Sequence, residues 1–280
     1  MIVVTGATGN VGRELVRILA SAGEQVTAVS RRPPAHLPDG VRHQQADLAD
    51  PESLRTVLDG ADALFLLVAG DDAQGILDIA AAGGVRRVVL LSSLGVGTRP
   101  EAYRHPGAFE DAVRRPGLAW TVLRSGGLNS NTFAWAESIR TQRTVAAPFG
   151  DVGLPTVDPA DVAEVAAVVL REAGHAGRTY ELTGPATVTQ RERAEAIGDA
   201  LGTAVRFVEQ TREEARAQML QFMPAPVVEG TLGILGEPLA AEQKVSPDVE
   251  RILGRAPRTF ADWARLPPRD LRCVRRPGGA

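Results

Sequence analysis

The first twelve residues constrain the fold more than any other stretch of the sequence. Residues 2–4, Ile-Val-Val, are a short β-branched run that predicts a buried strand. Glycines follow at positions 6, 9 and 12, and from Val11 onward the apolar residues recur at the spacing of an amphipathic helix. A strand, a glycine-rich turn and a helix in this order predict a βα unit that binds a dinucleotide.

The three glycines have separate roles in such a turn. Gly6 allows a sharp turn after the strand, Gly9 lets a pyrophosphate approach the backbone, and Gly12 lets the helix pack closely. The helix N-terminus then presents N–H groups and its positive dipole end to the phosphates. The alternative is a glycine-rich turn in an α/β protein that binds no nucleotide. The predicted cofactor contacts of this turn are Gly6, Thr8, Gly9, Asn10, Val11 and Gly12.

The second predicted strand, residues 25–30, carries the signal for the type of dinucleotide. An NAD-binding protein places Asp or Glu at this strand end to bond the ribose 2′-hydroxyl, but here Ser30 is followed by Arg31 and Arg32. A guanidinium pairs with a phosphate, whereas a carboxylate repels one. The sequence therefore favours NADP(H), with NAD(H) still possible, and the alternative is a solvated basic loop.

Further cofactor contacts are expected where the next strands end. Asp47 and Leu48 follow the third strand, where Asp47 could accept a hydrogen bond from the adenine or serve as a turn residue. Val68 and Ala69 follow the fourth strand, and Ser92 ends the fifth. Ligands of open parallel sheets bind at the carboxyl ends of strands, so we expect these residues to line the cofactor site.

Composition narrows the class of protein. The 280 residues are 44% hydrophobic, which suffices for a sizeable core, and the net charge of −3 argues against nucleic acid or an anionic membrane as a partner. No apolar run reaches transmembrane length, the four histidines show no metal-ligand spacing, and Cys273 is the single cysteine. A cytoplasmic protein without metal, either a monomer or a homodimer, is the expectation.

The order of predicted elements indicates an α/β fold, a Rossmann-type doubly wound parallel sheet with a smaller helical substrate-binding part at the C-terminus. Residues 152–158 and 204–208 are predicted as a return strand and an isolated strand, and capping boxes predict helices beginning after Thr189 and Thr211. The predicted domains are 1–150 for the NAD(P)-binding domain, 151–184 for its return strands and helix, 185–266 for the smaller part and 267–280 for a flexible tail.

Candidate substrate contacts lie outside the glycine-rich turn. A glycine- and amide-rich stretch follows the sixth strand and suits a pocket loop or a plain connection. Two aromatics come directly after it, and a Met–Phe face precedes a proline break later in the chain; each could stack on a flat substrate or simply fill the core, which is the commoner role. The predicted substrate contacts are Gly127, Asn129, Phe133, Trp135, Met219 and Phe222.

Taken together, these motifs resemble one known family. They are Gly6-x-x-Gly9-x-x-Gly12, Arg31, Asp47-Leu48, Ser92-Ser93, Asp158-x-x-Asp161-Val162-Ala163 and the run from Thr179 to Gly184. The chain is similar to the NmrA-like branch of the short-chain dehydrogenases/reductases, and most to its NADP(H)-dependent quinone and triphenylmethane-dye reductases. The resemblance implies a Rossmann domain with a helical part closing over the nicotinamide. That family also includes redox sensors that bind NADP(H) without turnover.

One departure from the wider superfamily bears on mechanism. Orthodox members use Tyr-x-x-x-Lys beside a serine, and the lysine lowers the tyrosine pKa. Here Tyr103 is followed four residues later by Gly107, Tyr180 is followed by Gly184, and Lys244 is the only lysine. The Tyr–Lys pair is therefore absent from the sequence.

The missing lysine favours one class of acceptor. Hydride transfer to a simple ketone builds a localised alkoxide that needs a positioned acid, whereas transfer to a quinone or cationic dye gives a delocalised phenolate or a neutral product. A phenol has a pKa of about 10, so a weak donor suffices, and Ser93, Tyr103 and His105 are the candidates. We expect an NAD(P)H-dependent reductase of a quinone or polycyclic aromatic substrate, with oxygenation of the reduced substrate as a variant; the alternative is a non-catalytic NADP(H) sensor.

Overall fold

The computed structural model describes residues 1–114 and 117–265. The predicted flexible tail, 267–280, and Cys273 within it lie outside the described residues. Within the described part of the chain, no helix is both long and apolar enough to cross a bilayer. Within the same ranges, no group of three or more His, Cys, Asp or Glu side chains is arranged to hold a metal ion.

The strands are β1 (Ile2–Thr5), β2 (Val26–Ser30), β3 (Arg42–Gln45), β4 (Ala63–Leu67), β5 (Arg87–Ser93), β6 (Ala119–Ser125), β7 (Thr144–Pro148), β8 (Arg178–Leu182) and β9 (Arg206–Gln210). The helices are α1 (Asn10–Ser21), α2 (Arg55–Leu58), α3 (Ala73–Ala82), α4 (Gly95–Thr98), α5 (Arg104–Val113), α6 (Ala136–Gln142), α7 (Pro159–Arg171), α8 (Gln190–Leu201), α9 (Arg212–Met219), α10 (Ala225–Gly236), α11 (Ala240–Gln243), α12 (Asp248–Leu253) and α13 (Phe260–Arg265). Two 3₁₀ helices span Pro51–Leu54 and Asn129–Trp135.

The main sheet is parallel throughout and has the strand order β3-β2-β1-β4-β5-β6-β8. Strand β1 pairs with β2 on one side, through Val3 and Thr27, and with β4 on the other, through Val3 and Leu64. The chain order thus reverses direction beside β1, which is the topological switch point where such sheets bind ligands. The predicted Rossmann-type doubly wound sheet is confirmed.

Helices cover both faces of this sheet because its central strands are apolar on both sides. Val3, Leu64 and Val88 share a buried core with residues of α3 and α5. The alternate residues Val4 and Phe65 are also fully buried, and they point to the opposite face. Helices α1 and α7 pack against each other and contact the strands as well. Continuous apolar strands of this kind are typical of a parallel sheet with two covered faces.

The chain forms two compact units. Unit 1 consists of Met1–Gly126, Pro159–Leu182 and Ser246–Ala256 and contains the parallel sheet. Unit 2 consists of Gly127–Asp158, Thr183–Val245 and the described residues from Pro257 onward. Each unit is assembled from separate segments, unlike the consecutive stretches that the sequence analysis expected.

Unit 2 is mainly helical and contains a two-stranded parallel sheet, β7 and β9. The strand predicted at 204–208 is present as β9, shifted by two residues, but it is not isolated, since it pairs with β7, which the sequence analysis missed. The strand predicted at 152–158 is wrong: Leu154 and Val157 make only single bridges, to Val188 and Leu128. The capping boxes that begin α8 and α9 are confirmed.

A buried polar cluster ties α5 to the ends of β5 and β6 in unit 1. The Glu110 side chain is 1% exposed and accepts hydrogen bonds from Ser92 Oγ at 2.7 Å, from Arg124 Nε and Nη2 at 2.9 and 2.7 Å, and from Arg114 Nη2 at 2.6 Å. Burial opposes ionisation of Glu110, but the bonds from Arg124 and Ser92 outweigh it and lower its pKa. The carboxylate therefore stays ionised and satisfied inside the protein.

Replacing Glu110 with glutamine tests the contribution of this cluster to stability. The variant leaves two guanidinium groups without their shared carboxylate, so we expect the free energy of unfolding to fall by about 2–4 kcal/mol near pH 7. Because folding lowers the pKa of Glu110, its contribution is complete above about pH 4.3 and is lost as the pH falls through the lowered value. Urea unfolding at neutral and acid pH should show a difference that shrinks in acid.

Glu137→Gln is the matched control, since Glu137 is an exposed glutamate paired with Arg140 at 2.6 Å. An exposed pair contributes little, so this variant should lose less than about 0.5 kcal/mol. Equal stability of the Glu110 and Glu137 variants would contradict the role given to the cluster.

Candidate cofactor site

The glycine-rich turn after β1 has the geometry expected for a dinucleotide. Gly6 has a φ of +62°, and a Cβ placed on it would stand 2.0 Å from Leu67 Cδ1. A Cβ on Gly12 would stand 2.2 Å from the Gly6 carbonyl oxygen, whereas one on Gly9 would stand 3.2 Å from that oxygen. A side chain at Gly12 would therefore push α1 away from the turn, whereas one at Gly6 would displace Leu67 and strain the backbone; an exposed backbone is left at Gly9.

Helix α1 begins at Asn10 with Gly9 as its N-cap, so no side chain caps its first N–H groups, and the first turn contains no acidic residue. The N–H groups and the helix dipole are thus available to an anion. Thr8 and Asn10 are exposed beside this end of the helix. Val11 is buried in the core, so only its backbone can serve the cofactor. This cradle fits the pyrophosphate of a dinucleotide.

Thr5 is a residue of this site that the sequence analysis missed. Its hydroxyl donates to the Phe65 carbonyl at 2.9 Å and accepts from the Leu67 N–H at 3.0 Å. The ladder between β1 and β4 ends at the pair Val4–Phe65, so the Thr5 side chain satisfies β4 where the two strands separate. The one available signal was a polar residue at the end of an apolar strand.

An open cleft of about 460 Å³ lies at the carboxyl ends of β2 and β3 and is lined by Arg31, Gln45, Ala46, Asp47 and Ser53. Both guanidinium groups of the Arg31–Arg32 pair are exposed and form no ion pair with a described residue. The cleft lies where the adenosine end of a dinucleotide binds in this fold. Arg31 is thus placed to contact a ribose phosphate.

Asp47 fills the turn role, and its contact with the adenine stays a prediction. It lines the cleft, and its carboxylate also accepts a hydrogen bond from the Ala49 N–H at 3.1 Å. Ser53 donates to the Asp50 carbonyl at 2.6 Å and accepts from the Asp47 N–H at 3.0 Å. Leu48 is half-buried against the core. The turn after β3 is therefore stabilised by hydrogen bonds among its own residues.

The loop after β4 is held in place from two sides. Gly70 has a φ of +75°, and a Cβ on it would stand 2.3 Å from the Leu48 carbonyl oxygen. His105 Nε2 donates to the Gly70 carbonyl at 2.6 Å. Val68 packs against the core and Ala69 is half-buried. His105, a candidate proton donor by sequence, thus braces the loop.

Of the remaining candidates, Ser92, Ser93 and Tyr103 lie around the end of β5. The Ser92 hydroxyl donates to Glu110, whereas Ser93 Oγ accepts from the Gly95 N–H at 3.2 Å. The ring of Tyr103 covers Gly95, where a Cβ would stand 2.4 Å from two ring carbons. Ser93 and Tyr103 are thus neighbours of the same glycine.

The six predicted substrate residues belong to unit 2 and do not form one cluster. Phe133 and Trp135 pack against the core that includes Trp263, whose ring centroid is 5.5 Å from that of Phe133. Met219 packs against a second core, while Phe222 is 72% exposed. Packing against a core therefore accounts for Phe133, Trp135 and Met219, but not for Phe222.

The other two predicted substrate residues lie in the loop after β6. Gly127 is exposed, and Asn129 is 1% exposed. Neither polar atom of the Asn129 side chain has a hydrogen-bond partner among the described residues. A buried amide of this kind needs a partner, so Asn129 stays a candidate contact.

Comparison with known proteins identifies the family. A family model described as NAD(P)H-binding matches residues 6–173. The chain is 38% identical to the (4-alkanoyl-5-oxo-2,5-dihydrofuran-3-yl)methyl phosphate reductase of Streptomyces griseus, over 94% of this chain and 96% of the relative. It is 31% identical to the NAD(P)H azoreductase of Xenophilus azovorans, over 95% and 97% of the two chains.

A solved structure supports the same assignment. The NADPH-dependent quinone oxidoreductase of Escherichia coli superposes with a TM-score of 0.78 at 26% identity, covering 94% of this chain and 98% of that one. That protein is a quinone oxidoreductase that uses NADPH, and the fold and the glycine cradle described above are of the kind that binds a dinucleotide. The chain therefore belongs to the NAD(P)H-binding family and is an NAD(P)H-dependent oxidoreductase of the quinone- and azo-reductase type.

Proposed function

We propose that the chain uses NADPH to reduce a flat, conjugated, electron-poor acceptor, such as a quinone or another polycyclic aromatic metabolite. The observation that carries this proposal is the absence of a Tyr-x-x-x-Lys pair in a chain whose only lysine is Lys244. Without that pair, the substrate itself must stabilise the negative charge that hydride transfer creates. A quinone does so by delocalising the charge into a phenolate with a conjugate pKa of about 10.

The cofactor contacts proposed for the chain follow from unit 1. The backbone between Gly6 and Gly12 holds the pyrophosphate, and Arg31 pairs with the ribose 2′-phosphate in the cleft shared with Asp47. When bound, NADPH supplies a hydride. The β4 loop, braced by His105, borders the same end of the sheet.

The hydrogen bonds at the end of β5 narrow the choice of proton donor. Ser92 donates its proton to Glu110, and His105 Nε2 donates to Gly70, so neither proton is available to a substrate. The Ser93 oxygen accepts from Gly95, and its own proton makes no hydrogen bond with a described residue. Ser93 is therefore the donor that we favour, acting as a weak acid on a product that needs little help.

The relatives support this class of acceptor. Their names refer to a quinone, an azo compound and a 5-oxo-2,5-dihydrofuran that carries an alkanoyl group. These molecules share a polarised, conjugated π-system that spreads the charge delivered by a hydride. We propose that the acceptor reduced by this chain belongs to the same electronic class.

An acceptor panel tests the function. NADPH oxidation is followed with quinones, azo dyes, an unsaturated lactone and a simple ketone, and we expect turnover with the conjugated acceptors at a kcat/KM at least about 100-fold above that of the ketone. Oxygen uptake in the same assay shows whether the reduced product captures O₂. Tight NADPH binding with no turnover on any acceptor would instead support a sensor.

Two variants test the weak-acid argument. Ser93→Ala and Tyr103→Phe should each lower kcat for a quinone by no more than about tenfold, because proton delivery to a phenolate is not the difficult step. Tyr103→Phe keeps the ring on Gly95, so it isolates the hydroxyl. A loss of several orders of magnitude in either variant would refute the argument.

Arg31→Glu tests the preference for NADPH. A carboxylate in place of the guanidinium repels the 2′-phosphate but leaves the rest of the nucleotide site unchanged, so KM for NADPH should rise by about 10- to 100-fold while KM for NADH changes little. Steady-state kinetics with both cofactors measures this. Equal effects on the two would remove the case for a 2′-phosphate site.

A further inference from the structure

Ser30 connects the end of β2 with the neighbouring strand. Its hydroxyl is 2.6 Å from the Arg32 carbonyl oxygen and 3.0 Å from Nε2 of His43, on the edge strand β3. Because Ser30 is only 8% exposed, its hydroxyl bonds mainly to these two groups. The sequence analysis gave no role to His43 and treated Ser30 only as the residue that replaces an acid.

The direction of the two hydrogen bonds is fixed by the carbonyl group. A carbonyl oxygen can only accept, so the Ser30 proton goes to Arg32. The Ser30 oxygen must then accept from His43, which places a proton on Nε2 of the imidazole. The chain of donors therefore runs from His43 through Ser30 to the backbone of the Arg31–Arg32 turn.

Strand register places His43 correctly for this role. In the β2–β3 pair, Ala28 is opposite His43 and Ser30 is opposite Gln45. Residues two apart on a strand share a face, so His43 lies on the same face as Ser30 and Gln45. Gln45 also lines the cleft that contains Arg31. The relay thus lies beside the proposed 2′-phosphate site.

We infer that His43 is a positioning residue for cofactor specificity, which acts through Ser30 to hold the Arg31 guanidinium at the 2′-phosphate of NADPH. The Ser30–Arg32 bond closes a small turn around the peptide units that carry Arg31. Arg31 itself is exposed and makes no ion pair with a described residue, so no salt bridge holds it in place. The backbone turn is therefore its anchor. This inference rests on the proposed NADPH preference.

Removing the imidazole tests the inference. His43→Leu puts an apolar side chain on the edge strand and deletes the donor, and we expect KM for NADPH to rise by about five- to tenfold, as for loss of one ordering hydrogen bond. KM for NADH and kcat with either cofactor should change by less than about twofold. Calorimetric titration with NADP⁺ gives the same comparison without turnover.

Three further variants separate positioning from general damage. His43→Gln retains a donating nitrogen at similar reach and should restore most of the affinity for NADPH. His36→Leu removes an exposed imidazole from the connection between β2 and β3, before the strand that carries His43. It should bind NADPH and NADH as the unchanged protein does. The double variant Ser30→Ala/His43→Leu should be no weaker than Ser30→Ala alone, because both changes interrupt one chain of hydrogen bonds.

The outcomes distinguish the inference from the function on which it rests. If the unchanged protein binds NADPH and NADH equally and Arg31→Glu has no selective effect, the NADPH preference and the inference both fail. If Arg31→Glu acts selectively but His43→Leu matches His36→Leu, only the inference fails. Additive effects of the Ser30 and His43 changes, or an equal loss for NADH, would also overturn it.

Discussion

The approach of helix α1 to the turn before it is the constraint on which the rest of unit 1 depends. A methyl group on Gly12 would stand 2.2 Å from the Gly6 carbonyl oxygen, so the helix can reach this position only with glycine there. The uncapped end of α1 is thereby held at the edge where β1 and β4 separate. Thr5 bonds the β4 backbone at that point, so the crevice opens without leaving a buried peptide group unpaired.

Local signals in the sequence predicted much of the fold, but they did not reveal the pairing of strands that lie far apart in the sequence. The β1–turn–α1 unit and the capping boxes at Thr189 and Thr211 are written in adjacent residues, and each appears as predicted. By contrast, β7 and β9 are separated in sequence by α7, β8 and α8, and their pairing depends on register that no local pattern reveals. Residues 152–158 were predicted as a strand, yet Leu154 and Val157 make only single bridges.

The same distinction applies to the candidate site. The rule that ligands bind at strand ends predicted Arg31, Asp47 and Ser92 as cofactor contacts, and the structure places the first two in one cleft. The rule could not show which group each side chain bonds, because Glu110 and His105 reach the site from α5, whose approach is a tertiary property. Glu110 is an ordinary glutamate in the sequence, and only its burial among two arginines and a serine marks it as part of the framework.

The hydrogen bonds made by Ser92 and His105 bear on how the proposed reductase works without a strong acid. Polar side chains near the end of β5 mainly serve to brace the sheet edge: Ser92 is bound by Glu110, and His105 is bound by Gly70. Such a site can position a cofactor, but it has few groups left to stabilise a localised negative charge on a substrate. Under the proposed function, the demand therefore shifts to the substrate, and an acceptor that disperses the incoming electron pair over a conjugated system meets it without a tyrosine–lysine pair. In this proposal, the hydrogen bonds that brace the end of the sheet also limit which acceptors the chain can reduce.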